Sequence, residues 1–156
     1  MTRRNKRIAK GALAGLAGGL AGTIAMTQFQ KLWSKLNPPS GGSNDEPATV
    51  KAARSIFPFP EESKNTAGKI VHYSFGSATG AAYGAAAEVS PAVTACAGTL
   101  FGSTLFAVAD EAVVPAMGWS KPPGAYPLSA HVYGFASHLV YGLATDMVRR
   151  LVRAAL

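Results

Sequence analysis

The sequence predicts an all-α protein, a four-transmembrane-helix bundle packed through glycine. Three observations predict it. Four apolar stretches of spanning length are separated by short or polar breaks; charge is almost missing from the middle of the chain; and small residues recur every fourth position inside the stretches. Between Gly68 and Met117 the ionisable side chains are Lys69, His72, Tyr73, Tyr83, Glu88, Cys96, Asp110 and Glu111. A water-facing surface cannot be built from so few. With 48% apolar and 15% charged residues the chain departs from soluble averages. Its mean hydropathy of only +0.15 averages apolar spans with one polar segment.

The elements come in order within a single domain, 1–156. Arg3, Arg4, Lys6, Arg7 and Lys10 precede an uncharged run from Gly11 to Gln30, which reads as a signal peptide or a first spanning helix. It is long enough to cross a hydrocarbon core of roughly 30 Å and no small-x-small cleavage site comes after it, so a retained helix over 11–33 is expected. Residues 34–67 form a polar loop holding the Pro/Gly/Ser stretch NPPSGGSNDEP and then a short amphipathic segment, ATVKAARSIF. Asn44 or Asp45 is placed to cap that segment, with Pro47 in its first turn. It is either a helix lying on the membrane or a packed loop helix. Three more helices are expected over 68–87, 92–117 and 128–148, joined by the tight Glu88-Val89-Ser90-Pro91 and by the proline-rich 118–127. Connections this short make consecutive helices antiparallel neighbours.

Orientation comes from the clustering of positive charge. Five Lys or Arg lie before the first span, and Arg149, Arg150 and Arg153 close the last, so both termini are expected in the cytoplasm. Trp33, Tyr73, Trp119 and Tyr126 then fall near the opposite interface. The formal charge of +7 sits at the chain ends and in one loop without an aromatic-interleaved basic face, which points to the lipid bilayer and anionic headgroups and excludes nucleic acid. Cys96 is the lone cysteine and reads as a small core residue rather than a reactive thiol.

Within the spans the ladders are Gly11, Gly15, Gly19; Gly76, Gly80, Gly84; Gly98, Gly102; and Gly134 and Gly142 around His138. Lipid gives helices no hydrophobic reason to associate, so close backbone approach along such stripes supplies the packing energy. The stripes serve a tight bundle or the interface of a homo-oligomer or larger membrane complex. The second and fourth spans also match at an offset of 58 residues, FGxATxxxYGxAxE from Phe75 against YGxASxxxYGxAxD from Tyr133. The first and third share AGxLxG from Ala17 and Ala97. That suggests a parallel repeat of two helical hairpins.

An ionisable group inside a membrane is costly unless paired or hydrated, which makes His72, Asp110, Glu111, His131 and His138 candidate proton or solute-site residues, with Gln28 nearby. Asp110 shares the stripe of Gly98 and Gly102 and is expected to face the bundle. Glu111, about 100° round an α-helix, is expected to turn toward the interface, leaving Asp110 to pair with His131. The competing structural role is a hydrogen-bonded network that fixes helix register. His72, Asp110 and His131 are chemically sufficient zinc ligands but lack HxxxH or ExxH spacing, and no CxxCH supports haem. No cofactor is expected. Glu88, Asp146, Arg149, Arg150 and Arg153 gather at the cytoplasmic ends, where acid–Arg pairing and lipid contact are the expected roles. No catalytic motif of the soluble enzyme classes is present.

From His72 onward the chain resembles the YagU-like family of bacterial inner-membrane proteins, a domain of unknown function. The resemblance rests on His72 opening a glycine-rich helix, Ala87-Glu88-Val89 with Pro91, Gly98, Met117-Gly118 leading into Pro122-Pro123, Ser137-His138-Leu139-Val140, Asp146 and Arg149-Arg150. It implies inner-membrane placement and brings no reaction. The expected function is a non-enzymatic transport or proton-handling bundle, or a structural membrane subunit. The alternative is a membrane-embedded metal-dependent or redox enzyme using His72, Asp110 and His131.

Overall fold

Every regular element among the described residues is helical. The structure is a computed structural model, and it describes residues 2–37 and 45–156. Helix α1 runs Arg3–Leu36, α2 Ala48–Ile56, α3 Lys64–Ala87, α4 Thr99–Leu105, α5 Val114–Ala116 and α6 Leu128–Ala155, with 3-10 turns at Glu61–Ser63, Pro91–Gly98 and Pro123–Ala125 and a π segment at Phe106–Val113. Among the described residues, two stretches are both long and apolar enough to cross a membrane, Arg3–Leu36 and Pro91–Ala116.

The long helices overrun their expected limits. The basic leader is helical from Arg3, capped by the Thr2 hydroxyl, which accepts from the Asn5 amide at 3.2 Å. Helix α2 packs on α3: Val50 is 2% exposed, and a Cβ on Gly68 would meet the Val50 side chain. Its cap is Pro47 with no side-chain hydrogen bond. Asp45 instead pairs with Lys121 at 2.7 Å, and Asn44 and the rest of 38–44 lie outside the described residues.

The third span departs most from expectation. A continuous helix over 92–117 is replaced by a 3-10 turn, a left-handed break and a helix that changes pitch. Cys96 (φ 57°), Ala97 (φ 52°) and Gly98 (φ 83°) are successive left-handed residues, and the break leaves Cys96, expected in the core, exposed. At Gly98 a side chain would strike the Gly142 carbonyl of α6, so glycine meets both the backbone conformation and the close approach. Farther along, Pro115 has no amide hydrogen, and in an α-helix its ring would collide with the carbonyl of residue 111. The chain widens into the π segment just upstream.

Glycine sets the packing. Gly11, Gly15 and Gly19 of α1 lie against Gly84, Gly80 and Gly76 of α3; a Cβ on Gly80 would come within 2.5 Å of the Gly15 carbonyl oxygen. On its other face α1 offers Gly18 and Gly22 to Thr145, Arg149 and Tyr141 of α6, while α4 meets α6 through Gly102 and Gly142. The stripes are thus occupied within one chain. Gly134 differs: it makes room for the Phe106 ring. The two hairpins are also inequivalent, because α1 packs on both α3 and α6 whereas α4 packs on α6. Toward the end bearing α2, space opens between α3 and the third span.

An apolar core that includes Ala14, Met26, Ala53, Tyr83 and Tyr141 shares the interior with polar side chains, and many large apolar side chains face outward. Thr23, Ser137, His138, Thr145, Asp146 and Arg149 are buried, while Leu13, Leu16, Leu20, Ile24, Leu100, Val108, Phe135, Leu143 and Met147 are exposed. Both chain ends lie together: Lys10 Nζ donates to the Leu156 carbonyl, and Glu88 stands between Arg7 and Arg153. We call this the terminal end and the opposite one, with α2, the distal end.

Candidate functional site

The space between α3 and the π segment is a cavity of roughly 940 Å³ in the distal half, walled by α1, α2, α3, the π segment, the 119–126 loop and α6. Gly76 is its floor on α3, and Pro47, Ala48, Thr49 and Val50 of α2 lie along its distal side. His72, Asp110, Glu111, His131 and His138 all line it, together with Tyr133, Tyr141 and Phe106. Gln28 does not: it is exposed on α1, and Gln30, two residues and about 200° away, lines the cavity in its place.

The pairing inside differs from the Asp110–His131 pair expected. His131 Nδ1 is 2.8 Å from Glu111 Oε1 and its Nε2 is 3.1 Å from the Pro123 carbonyl. A carbonyl only accepts, so Nε2 carries a hydrogen and a single further proton is held between Nδ1 and the Glu111 carboxylate. Asp110 lies nearest His138, Oδ2 to Nδ1 at 3.7 Å, beyond hydrogen-bond distance. The π segment is the reason. Asp110 and Glu111, expected to diverge, both reach the cavity from this wider turn, to which α-helical spacing does not apply. The same change dismantles the candidate metal trio of His72, Asp110 and His131. Among the described residues no three His, Cys, Asp or Glu stand close enough to hold a metal ion.

Below the cavity, toward the terminal end, the interior closes on aromatic rings. Tyr83 and Phe101 stack with centroids 4.4 Å apart, and Phe101 reaches Tyr141 at 5.7 Å. The Tyr141 hydroxyl donates to the Gly76 carbonyl at 2.7 Å. Spacing marks these tyrosines as repeat partners and assigns them no work; they bridge α3 and α6 where those helices stand apart.

A family model described as a protein of unknown function (DUF1440) matches residues 33–147. The chain belongs to that family. The match takes in α2, α3, the third span and nearly all of the cavity wall, but not the α1 ladder or Arg149, Arg150 and Arg153. No curated protein matches the chain, and no solved structure does.

At the terminal end of this DUF1440 member the charges stand in pairs. Asp146, 1% exposed, accepts from the Tyr83 hydroxyl at 2.9 Å, from Arg149 at 2.7 Å and from Arg150 at 2.7 Å. Glu88 takes Arg153 at 2.5 Å and Arg7 at 3.5 Å. The Arg153 hydrogen bond holds the Glu88 carboxyl below its usual range, against a desolvation that opposes it. At the distal end Lys121 does the same for Asp45. Trp119 Nε1 donates to Ser55 Oγ at 3.0 Å, which ties α2 itself to the 119–126 loop.

Proposed function

We propose that this protein is a four-span domain of the bacterial inner membrane, both termini cytoplasmic, that admits a small polar solute or a proton to its distal cavity from the outer side. One observation carries the reading: groups able to hydrogen-bond collect around a cavity inside a bundle whose outer surface is Leu, Ile, Val and Phe. Such a surface is stable against lipid and unstable against water.

Helices α3 and α6 have 24 and 28 residues, about 36 and 42 Å at 1.5 Å per residue, enough to span. Their average hydropathy is held down by what they bury: glycine in α3, and Ser137, His138, Thr145, Asp146 and Arg149 in α6. Their outward residues, Ile70 and Phe75 on α3 and Val132, Phe135, Leu143 and Met147 on α6, are apolar. Basic residues crowd the terminal end, which favours that end in the cytoplasm. A covalent reaction has no motif behind it, whereas two histidine–carboxylate combinations in one cavity suit the handling of protons and polar solutes.

The test has two parts. A reporter active only in the periplasm should be active when inserted near Gly42 and silent after Leu156. In a Cys96→Ala background, Ala130→Cys on the cavity wall should react with a small impermeant thiol reagent added outside intact cells. Labelling from the cytoplasmic side alone, or the reversed reporter pattern, would overturn the proposal.

A further inference from the structure

His138 is nine-tenths buried, with 8% of its side chain exposed. Its ring is oriented by Gly134: the carbonyl 2.9 Å from Nδ1 can only accept, so Nδ1 carries the hydrogen. In the neutral ring Nε2 is therefore a lone pair; among the described residues no hydrogen bond reaches it, and it is not a fully enclosed atom, so it opens on the cavity that His138 lines. Asp110 adds a second acceptor. Its carboxylate is 45% exposed where it borders the cavity, and the neighbouring acid, Glu111, is already engaged by His131. His72, across the cavity on α3, touches Tyr73 edge-on and makes no hydrogen bond among the described residues. Nε2 and the Asp110 carboxylate thus offer a donating solute two acceptors that no donor among the described residues fills.

Charge and walls narrow the choice. With one proton shared by Glu111 and His131, Asp110 is the acid at this end of the cavity left to pair with an incoming cation. Lys31, Lys69 and Lys121 stand toward the cavity's distal side; Lys121 is paired with Asp45 and the other two are exposed, where water and salt weaken their reach. The ring of Phe106 lies 5.6 Å from that of His138, and Tyr133 and Tyr141 also line the cavity. Aromatic faces beside a carboxylate favour a cation with an apolar body.

We infer that this end of the cavity is a binding site for a small protonated amine, whose N–H groups donate to the Asp110 carboxylate and to His138 Nε2 while its carbon skeleton lies against Phe106 and Tyr133. Such a site rests on the proposed reading of the cavity as a solute site. It excludes solutes that only accept hydrogen bonds, and it separates an N–H cation from a quaternary one, which can satisfy the charge but not the lone pair.

Three probes of one shape decide it: benzylamine, benzyltrimethylammonium and benzyl alcohol, titrated calorimetrically into the full-length protein in lipid nanodiscs at neutral pH. Benzylamine should bind about tenfold or more tightly than either of the others, and Asp110→Asn should weaken it by a similar factor, as loss of a charged hydrogen bond does. Should Asp110→Asn fail to fold, the ranking of the probes on the unmodified protein still decides. Equal binding of all three would mean an apolar cleft and would overturn the amine site. Absence of benzylamine binding while Ala130→Cys is still labelled from outside would also overturn it, and would leave the solute cavity standing.

Discussion

The terminal and distal halves of the bundle use the same helices to opposite ends. In the terminal half, glycines lie against glycines, Asp146 and Glu88 are each held by two arginines, and stacked Tyr83 and Phe101 fill the centre. In the distal half the same α3 and α6 carry His72, His131, His138 and Tyr133, and the space between α3 and the third span stays open. The buried charges of the first half have their partners inside the chain; several polar groups of the second do not. Small residues let backbones meet and lock, whereas bulky polar residues hold them apart around a space.

The contrast is most severely broken by filling the lock. Gly80→Leu should abolish folded protein in detergent, because the new side chain must displace backbone of α1; unchanged yield and thermal stability would mean that the stripe does not bear the contact. Asp146→Ala comes next, at about 3–5 kcal/mol, since it strands Arg149 and the Tyr83 hydroxyl in the interior. Chemical denaturation of the purified protein measures it.

In the distal half, Glu111→Gln and His131→Ala should each destabilise, and the double variant should cost clearly less than their sum. Asp110→Asn with His131→Ala should be closer to additive, reversing the pairing expected from α-helical spacing. Two double-mutant cycles compare them.

A milder effect comes from Glu88, whose carboxyl is held below its ordinary value near 4.5. Its contribution is present above that value and is lost as pH falls through the lowered one. The melting-temperature advantage of the parent over Glu88→Gln should accordingly be full at pH 7 and vanish in acid. Smallest should be Lys121→Ala, which removes an exposed ion pair. It should leave melting almost unchanged while hastening Ala130→Cys labelling, if the pair steadies α2 beside the cavity.

Much of the terminal half was legible in the sequence because its determinants are local and periodic: glycine every fourth residue, and acids and arginines at helix ends. The distal half was legible in its members but not in its pairs. His72, His131 and His138 stand on helices of ordinary pitch, where spacing is a sound guide. Asp110 and Glu111 stand on the π segment, where α-helical spacing misjudges which histidine each acid faces. Pro115 was visible in the expected span, and the carbonyl of residue 111 that it displaces is four residues earlier; that was the available signal. The break at 95–98 had a weaker one, since Gly98 also suits an unbroken ladder, and the left-handed turn depends on the approach of Gly142 from a helix more than forty residues away.

The π segment carries one residue more than an α-helix would need to cover the same turn. Chain length is therefore a chemical variable here. Excising Ala107 would let the segment rewind, and in a single step both carboxylates would change the histidine they face, although no polar side chain had been altered. A shortening by one alanine would rewire the cavity more thoroughly than substituting either acid.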